Sequence, residues 1–204
     1  KFSFKNIESY LCILISAIIC GVCRYDQPLD FLIFIAFIPV FHFFSISVKN
    51  LEDKSWFKKL IYSFLHGMLF GVTFLTISVH WISLVTLGGF FGILLLYTFY
   101  YTFFFFILIW GISRKSSHLP QFIILGFLSF ELVLSYGPFK FPWLNIGYSL
   151  SHSIYLIQML EIGGVYLLSL LILIINYLFY SYLRSYRKMK SSALIYLLYS
   201  VLIL

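Results

Sequence analysis

The residues of this 204-residue chain that could do chemistry are few: three cysteines, five histidines, two carboxylates set in apolar surroundings, and one loop crowded with proline, glycine and aromatic rings. Cys20 and Cys23 form a C-x-x-C pair. Such a pair is half of a tetrahedral metal site, and no second pair completes it. With Cys12 they lie in or just after the first apolar run, which points to packed or lipid-facing thiols. A lipidation signal would need a small residue before the cysteine, where Ile19 and Val22 stand. No small-x-small cleavage site follows the run either, which argues against a removed leader. His42, His66, His80, His118 and His152 are scattered without metal-ligand spacing, so no metal and no cofactor is expected. No Cys, Ser or Lys stands beside an activating His or acid in a setting that could be aqueous. These residues therefore offer no catalytic group and read as a lipid-facing platform.

The binding candidates lie elsewhere. Gly137–Ser149 holds two prolines and two glycines, so it cannot be a plain helix. It also holds Phe139, Phe141, Trp143 and Tyr148, side chains that settle at a headgroup boundary. Irregular backbone at that depth is tolerated only where protein or a wet cavity covers it. A lipid-gripping loop and a plain interfacial anchor fit this stretch equally. Glu131 is the only acid in its apolar run, and a carboxylate there needs a partner or a cavity. Glu161 opens the next run, where a helix dipole would favour it. Trp81 closes one run after His80, and Gly88 and Gly89 open another. Gly67-x-x-x-Gly71 and Gly88-x-x-x-Gly92 have the spacing of close helix packing.

The elements that must position these groups are set by composition. Hydrophobic residues make up 62% and charged residues 10% of the chain, and the mean hydropathy is +1.00. A soluble domain carries about 25% charged residues. The solvent of this chain is therefore largely lipid, which permits only helices or a closed barrel. The long unalternated runs select helices, and we expect an all-α integral membrane protein, a bundle of about seven transmembrane helices. The runs cover 8–23, 29–48, 60–82, 88–112, 119–136, 154–183 and 192–204. The last spans roughly 20 Å at helical rise, less than the roughly 30 Å core, so it reads as incomplete. A natural protein continuing past Leu204 is expected. With the N-terminus cytoplasmic, the inner segments hold 12 of the 14 Lys and Arg, and only Arg24 and Lys140 lie outside. That bias places 137–153 and the C-terminal end on the extracytoplasmic face. The net charge of +7 is explained in this way. Nucleic-acid binding is excluded, since no basic residues interleave with aromatics on an aqueous surface.

Phe141-Pro-Trp-Leu-Asn-Ile-Gly-Tyr-Ser149 resembles the FPW…GYS signature of apolipoprotein N-acyltransferases. Other stretches agree in order: Gly67 to Gly71 with His80-Trp81, Leu87-Gly88-Gly89, Glu131 ten residues before Phe141, and Gln158 to Gly164. Tyr25-Asp26 resembles that family's turn after its first helix. Two positions depart from the pattern: Leu134 stands where an arginine is usual, and His80 where an asparagine is usual. The resemblance implies transfer of a fatty acyl chain from a phospholipid donor to the N-terminal diacylglyceryl-cysteine of an apolipoprotein acceptor, at the bacterial inner membrane. It implies chemistry in an extracytoplasmic nitrilase-like domain with a Glu-Lys-Cys triad, which would follow residue 204. Residues 1–204 would be the membrane domain, monomeric and inactive alone. Its lipid-binding candidates are Trp143, Glu131, Asn145, Tyr148, Phe141, Trp81, Gly88 and Gly89. Two rivals stay open at this stage. A transporter would carry midplane charges and internal repeats, whereas the polar features here cluster near one face. A degenerate paralogue without a catalytic half would keep the helices alone.

Overall fold

The computed structural model describes residues 4–25, 27–51, 53–112 and 118–186. Among the described residues all regular structure is helical, arranged as a membrane bundle. Helix α1 (Phe4–Val22) is followed by α2 (Gln27–Asp30), α3 (Ile33–Ala36) and α4 (Ile38–Leu51). Then come α5 (Trp56–Val79), a 3-10 turn (His80–Leu84), α6 (Leu87–Ile112) and α7 (Leu119–Ser135). Two further 3-10 turns (Pro142–Leu144 and Ile146–Leu150) lead to α8 (Ile154–Ile157) and α9 (Leu160–Tyr186). The stretches Ile33–Leu51, Trp56–Leu84, Leu87–Ile112 and Leu160–Tyr186 are long and apolar enough to cross a membrane. Shorter apolar helices cover Ile7–Val22 and Leu119–Ser135. The expected run 192–204 lies outside the described residues.

Two of the expected runs are broken, each for a local reason. Pro39 lacks an N–H and its ring would crowd the carbonyl four residues earlier, so α3 cannot continue into α4. Of the groups freed at the break, the Ala36 carbonyl accepts from Ser16 Oγ of α1 at 2.6 Å, and two others are taken by one side chain of α9. Asn176 Oδ1 accepts the Phe37 N–H at 2.7 Å, and its Nδ2 donates to the Ile33 carbonyl at 2.8 Å. In lipid, where no water can replace a lost helical bond, this repair is what makes the break tolerable. The second break is at Gly163–Gly164, where Gly164 adopts φ +63° and turns the chain into the long part of α9.

Helix α5 lies closest to α6. A methyl added at Gly67 would stand 2.7 Å from Thr102 Cα, and one at Gly71 would stand 3.0 Å from Thr98 Cα. Helices in lipid associate through such backbone approach rather than through apolar burial. The other glycine pair does not act this way. Gly92 has open space where its side chain would be, and Gly88 meets only Thr86 at 4.0 Å. Spacing alone does not distinguish a packed glycine pair from an exposed one. The core is largely aromatic, with Phe37, Phe41, Phe43, Phe44 and Phe105 fully buried. His66 is buried there, stacked on Tyr10, 2.9 Å from Ser9 Oγ and 2.7 Å from the Tyr62 carbonyl. It is a structural histidine. Cys20 and Cys23 are packed into the core as free thiols, and Cys12 is half-buried.

Candidate functional site

Several backbone groups of the irregular segment between α7 and α8 are held by the surrounding helices, and others bond within the segment. Gly137 makes the first turn at φ +90°. The Phe141 N–H donates to the Leu134 carbonyl at 2.8 Å, so the end of α7 holds the loop through backbone. The Tyr97 hydroxyl of α6 donates to the Phe139 carbonyl. Arg24, just past α1, donates to three consecutive carbonyls, those of Trp143 at 2.5 Å, Leu144 at 2.8 Å and Asn145 at 3.0 Å. Its guanidinium also lies 5.2 Å from the centre of the Phe74 ring. Glu131 Oε1 accepts the Ile146 N–H at 2.5 Å, and Ser169 Oγ of α9 accepts the Gly147 N–H at 2.9 Å. Gly147 lies directly against α9. A methyl there would sit 2.6 Å from the Val165 carbonyl oxygen.

This anchoring divides the segment into two faces. Leu144, Asn145, Ile146, Ser149 and Leu150 are sunk into the bundle. Phe139, Trp143 and Tyr148 are left exposed. Trp143 leans on Trp81 from the turn after α5, with ring centres 5.8 Å apart, and on Phe141 at 5.5 Å. Phe141 in turn contacts Tyr97 at 5.5 Å. Trp81, Phe141 and Trp143, with Tyr148, Tyr25 and Arg24, surround a cleft of about 290 Å³. Tyr25 fixes one wall. Its hydroxyl donates to the Ile77 carbonyl and lies 2.7 Å from His80 Nδ1.

Of the eight sequence candidates, Trp81, Phe141, Trp143 and Tyr148 come together around this cleft. Glu131 and Asn145 do not face it. Both are buried beneath the loop, Glu131 on the Ile146 amide and Asn145 within 3.5 Å of Ser135 Oγ. Gly88 and Gly89 lie apart, at the start of α6, where the Gly89 N–H meets Thr86 Oγ1 at 3.3 Å. Glu161 is in the first turn of α9, outside the cleft. Sequence reasoning missed Arg24, Tyr97 and Ser169. Arg24 carried a signal, since a cation at the very end of an apolar run is expensive unless it has a task. Ser169 and Tyr97 carried none.

The lining offers aromatic surface and one cation. Ser78 lines the cleft, and among the described residues its hydroxyl has no hydrogen-bond partner. Among the described residues no cluster of His, Cys, Asp or Glu could hold a metal ion. A rigid aromatic rim with one cation behind it suits an amphipathic molecule at a membrane boundary.

Residues 16–178 match the family model described as the apolipoprotein N-acyltransferase N-terminal domain. The chain is 36% identical over 168 residues to apolipoprotein N-acyltransferase 2 of Leptospira interrogans serogroup Icterohaemorrhagiae serovar copenhageni (strain Fiocruz L1-130), covering 71% of this chain and 26% of the relative. The protein of the same name from serovar Lai (strain 56601) matches with the same identity and coverage. The chain thus spans about a quarter of the length of the curated relatives it matches. No solved structure matches it.

Proposed function

This chain belongs to the apolipoprotein N-acyltransferase family, and on that premise we propose that it is the membrane domain of an enzyme that moves a fatty acyl chain from a phospholipid to the N-terminal diacylglyceryl-cysteine of apolipoproteins. In this reading the aromatic cleft receives the lipid substrates, and bond-making belongs to a nitrilase-like domain following residue 204. The protein works as a monomer in the bacterial inner membrane, with the 137–153 loop outside. The observation that carries the reading is the cleft itself. Trp81 and Trp143, 62 positions apart in the chain, meet with ring centres 5.8 Å apart and planes tilted by 44°, beside a loop that Arg24, Glu131 and Ser169 hold by hydrogen bonds. Rigid aromatic surface that orients an acyl chain raises the rate of a reaction carried out by groups elsewhere. Glu131 and Asn145 are positioning residues in this scheme, acting through the loop they support.

The test uses the natural full-length protein, reconstituted with phospholipid and a diacylated lipopeptide. Trp81→Ala and Trp143→Ala should each lower N-acylation about tenfold or more at equal levels of folded protein. Unchanged turnover in both variants would remove the cleft from the reaction.

A further inference from the structure

At the end of the bundle away from the aromatic cleft, α1, α4 and α9 enclose a second cavity, of about 670 Å³. Its lining changes character with depth. Ile15 of α1 and Ile38 of α4 make the inner part apolar, and Lys49 and Arg184 bring positive charge to the outer part. From Ile38 to Lys49 the helix rises about 16 Å. Glu8 and His42, also on the wall, pair with each other at 2.9 Å. Among the described residues, no ion pair involves Lys49 or Arg184. Glu8, the carboxylate of this lining, is therefore already engaged with the imidazole, and two cations remain beside an apolar channel.

We propose that this cavity binds an anionic phospholipid from the leaflet at the basic end of the bundle, its phosphate between Lys49 and Arg184 and an acyl chain along Ile15 and Ile38. Basic pockets between transmembrane helices have this chemistry, and each cation near the membrane surface adds about fivefold in affinity for an anionic lipid. The site is separate from the aromatic cleft and does not depend on the function proposed for it.

Cys12 provides a native reporter, because it lines this cavity whereas Cys20 and Cys23 are packed in the core. The chain would be placed in nanodiscs of phosphatidylcholine, alone or with added phosphatidylglycerol, and the rate of Cys12 modification by N-ethylmaleimide followed by mass spectrometry. Phosphatidylglycerol should protect Cys12. In the Lys49→Gln/Arg184→Gln variant, the phosphatidylglycerol needed for half-protection should rise roughly thirtyfold. The Lys58→Gln/Lys59→Gln variant removes the same charge away from the cavity and should leave protection unchanged. Equal loss in both variants would mean a general surface potential and would overturn the site. So would a rate of Cys12 modification that is the same with and without phosphatidylglycerol, since no anionic lipid would then be occupying the cavity.

Discussion

Arg24 and Trp143 meet across 119 positions of sequence, with Nη1 of the arginine donating to the tryptophan carbonyl at 2.5 Å while the indole points away and remains 58% exposed. One residue thus fixes the backbone of the other and leaves its ring free to contact lipid. Arg24 extends the same grip to Leu144 and Asn145 through Nη2. The planar fork of a guanidinium can reach several acceptors in a fixed geometry, which a lysine ammonium cannot do.

Arg24→Lys should therefore not be conservative. Each buried carbonyl left without a donor costs about 1–3 kcal/mol, and the loop loses the contact that aims Trp143. Thermal unfolding of the purified protein in detergent should show a clear loss for Arg24→Lys and a larger one for Arg24→Leu. Full stability in the lysine variant would mean that charge alone, not the fork, is what the loop requires.

Gly147 and Gly92 make an internal comparison. Gly147→Ala drives a methyl into the Val165 carbonyl, and over-packing of this kind costs about 1–3 kcal/mol. Gly92→Ala places its methyl in open space within α6 and should stabilise by about 0.5–1 kcal/mol, since glycine weakens a helix interior. Midpoints of denaturation for the two variants should move in opposite directions. The same direction for both would show that the Gly147 contact yields without strain.

The orientation that the charge bias predicts is checked by labelling. A membrane-impermeant thiol reagent applied to intact spheroplasts should modify Ser151→Cys, on the exposed 137–153 loop, and spare Ser116→Cys between α6 and α7. Background from native thiols should be small, since Cys20 and Cys23 are buried and Cys12 lines the cavity at the opposite end of the bundle, away from an impermeant reagent. The reverse pattern would invert the topology.

Much of the architecture was legible in the residues. Runs of apolar side chains too long for a soluble core read directly as membrane helices, because lipid leaves the backbone no other way to satisfy itself. The loop Gly137–Ser149 was legible for the converse reason, as two prolines and two glycines cannot sit in a helix. The break between α3 and α4 was not foreseen. Pro39 signals it, but its acceptability depends on Asn176, which is distant in the chain and close only after folding. The site was half legible. Trp143 and Phe141 belong to one short motif, whereas Trp81 joins them only through the packing of the turn after α5.

What the sequence by itself determined is the solvent of this chain, its helical class, the bias of charge to one end and the family signature around Trp143, because each rests on composition or on neighbours along the chain. What only the tertiary structure decided is which polar groups serve the loop. Glu131 became a backbone anchor instead of a cleft residue, and Arg24 passed from a counted charge to the centre of the site. The physical reason is that a buried polar group must find its partner wherever the fold brings one within about 3 Å, and that distance is set by helix packing rather than by position in sequence.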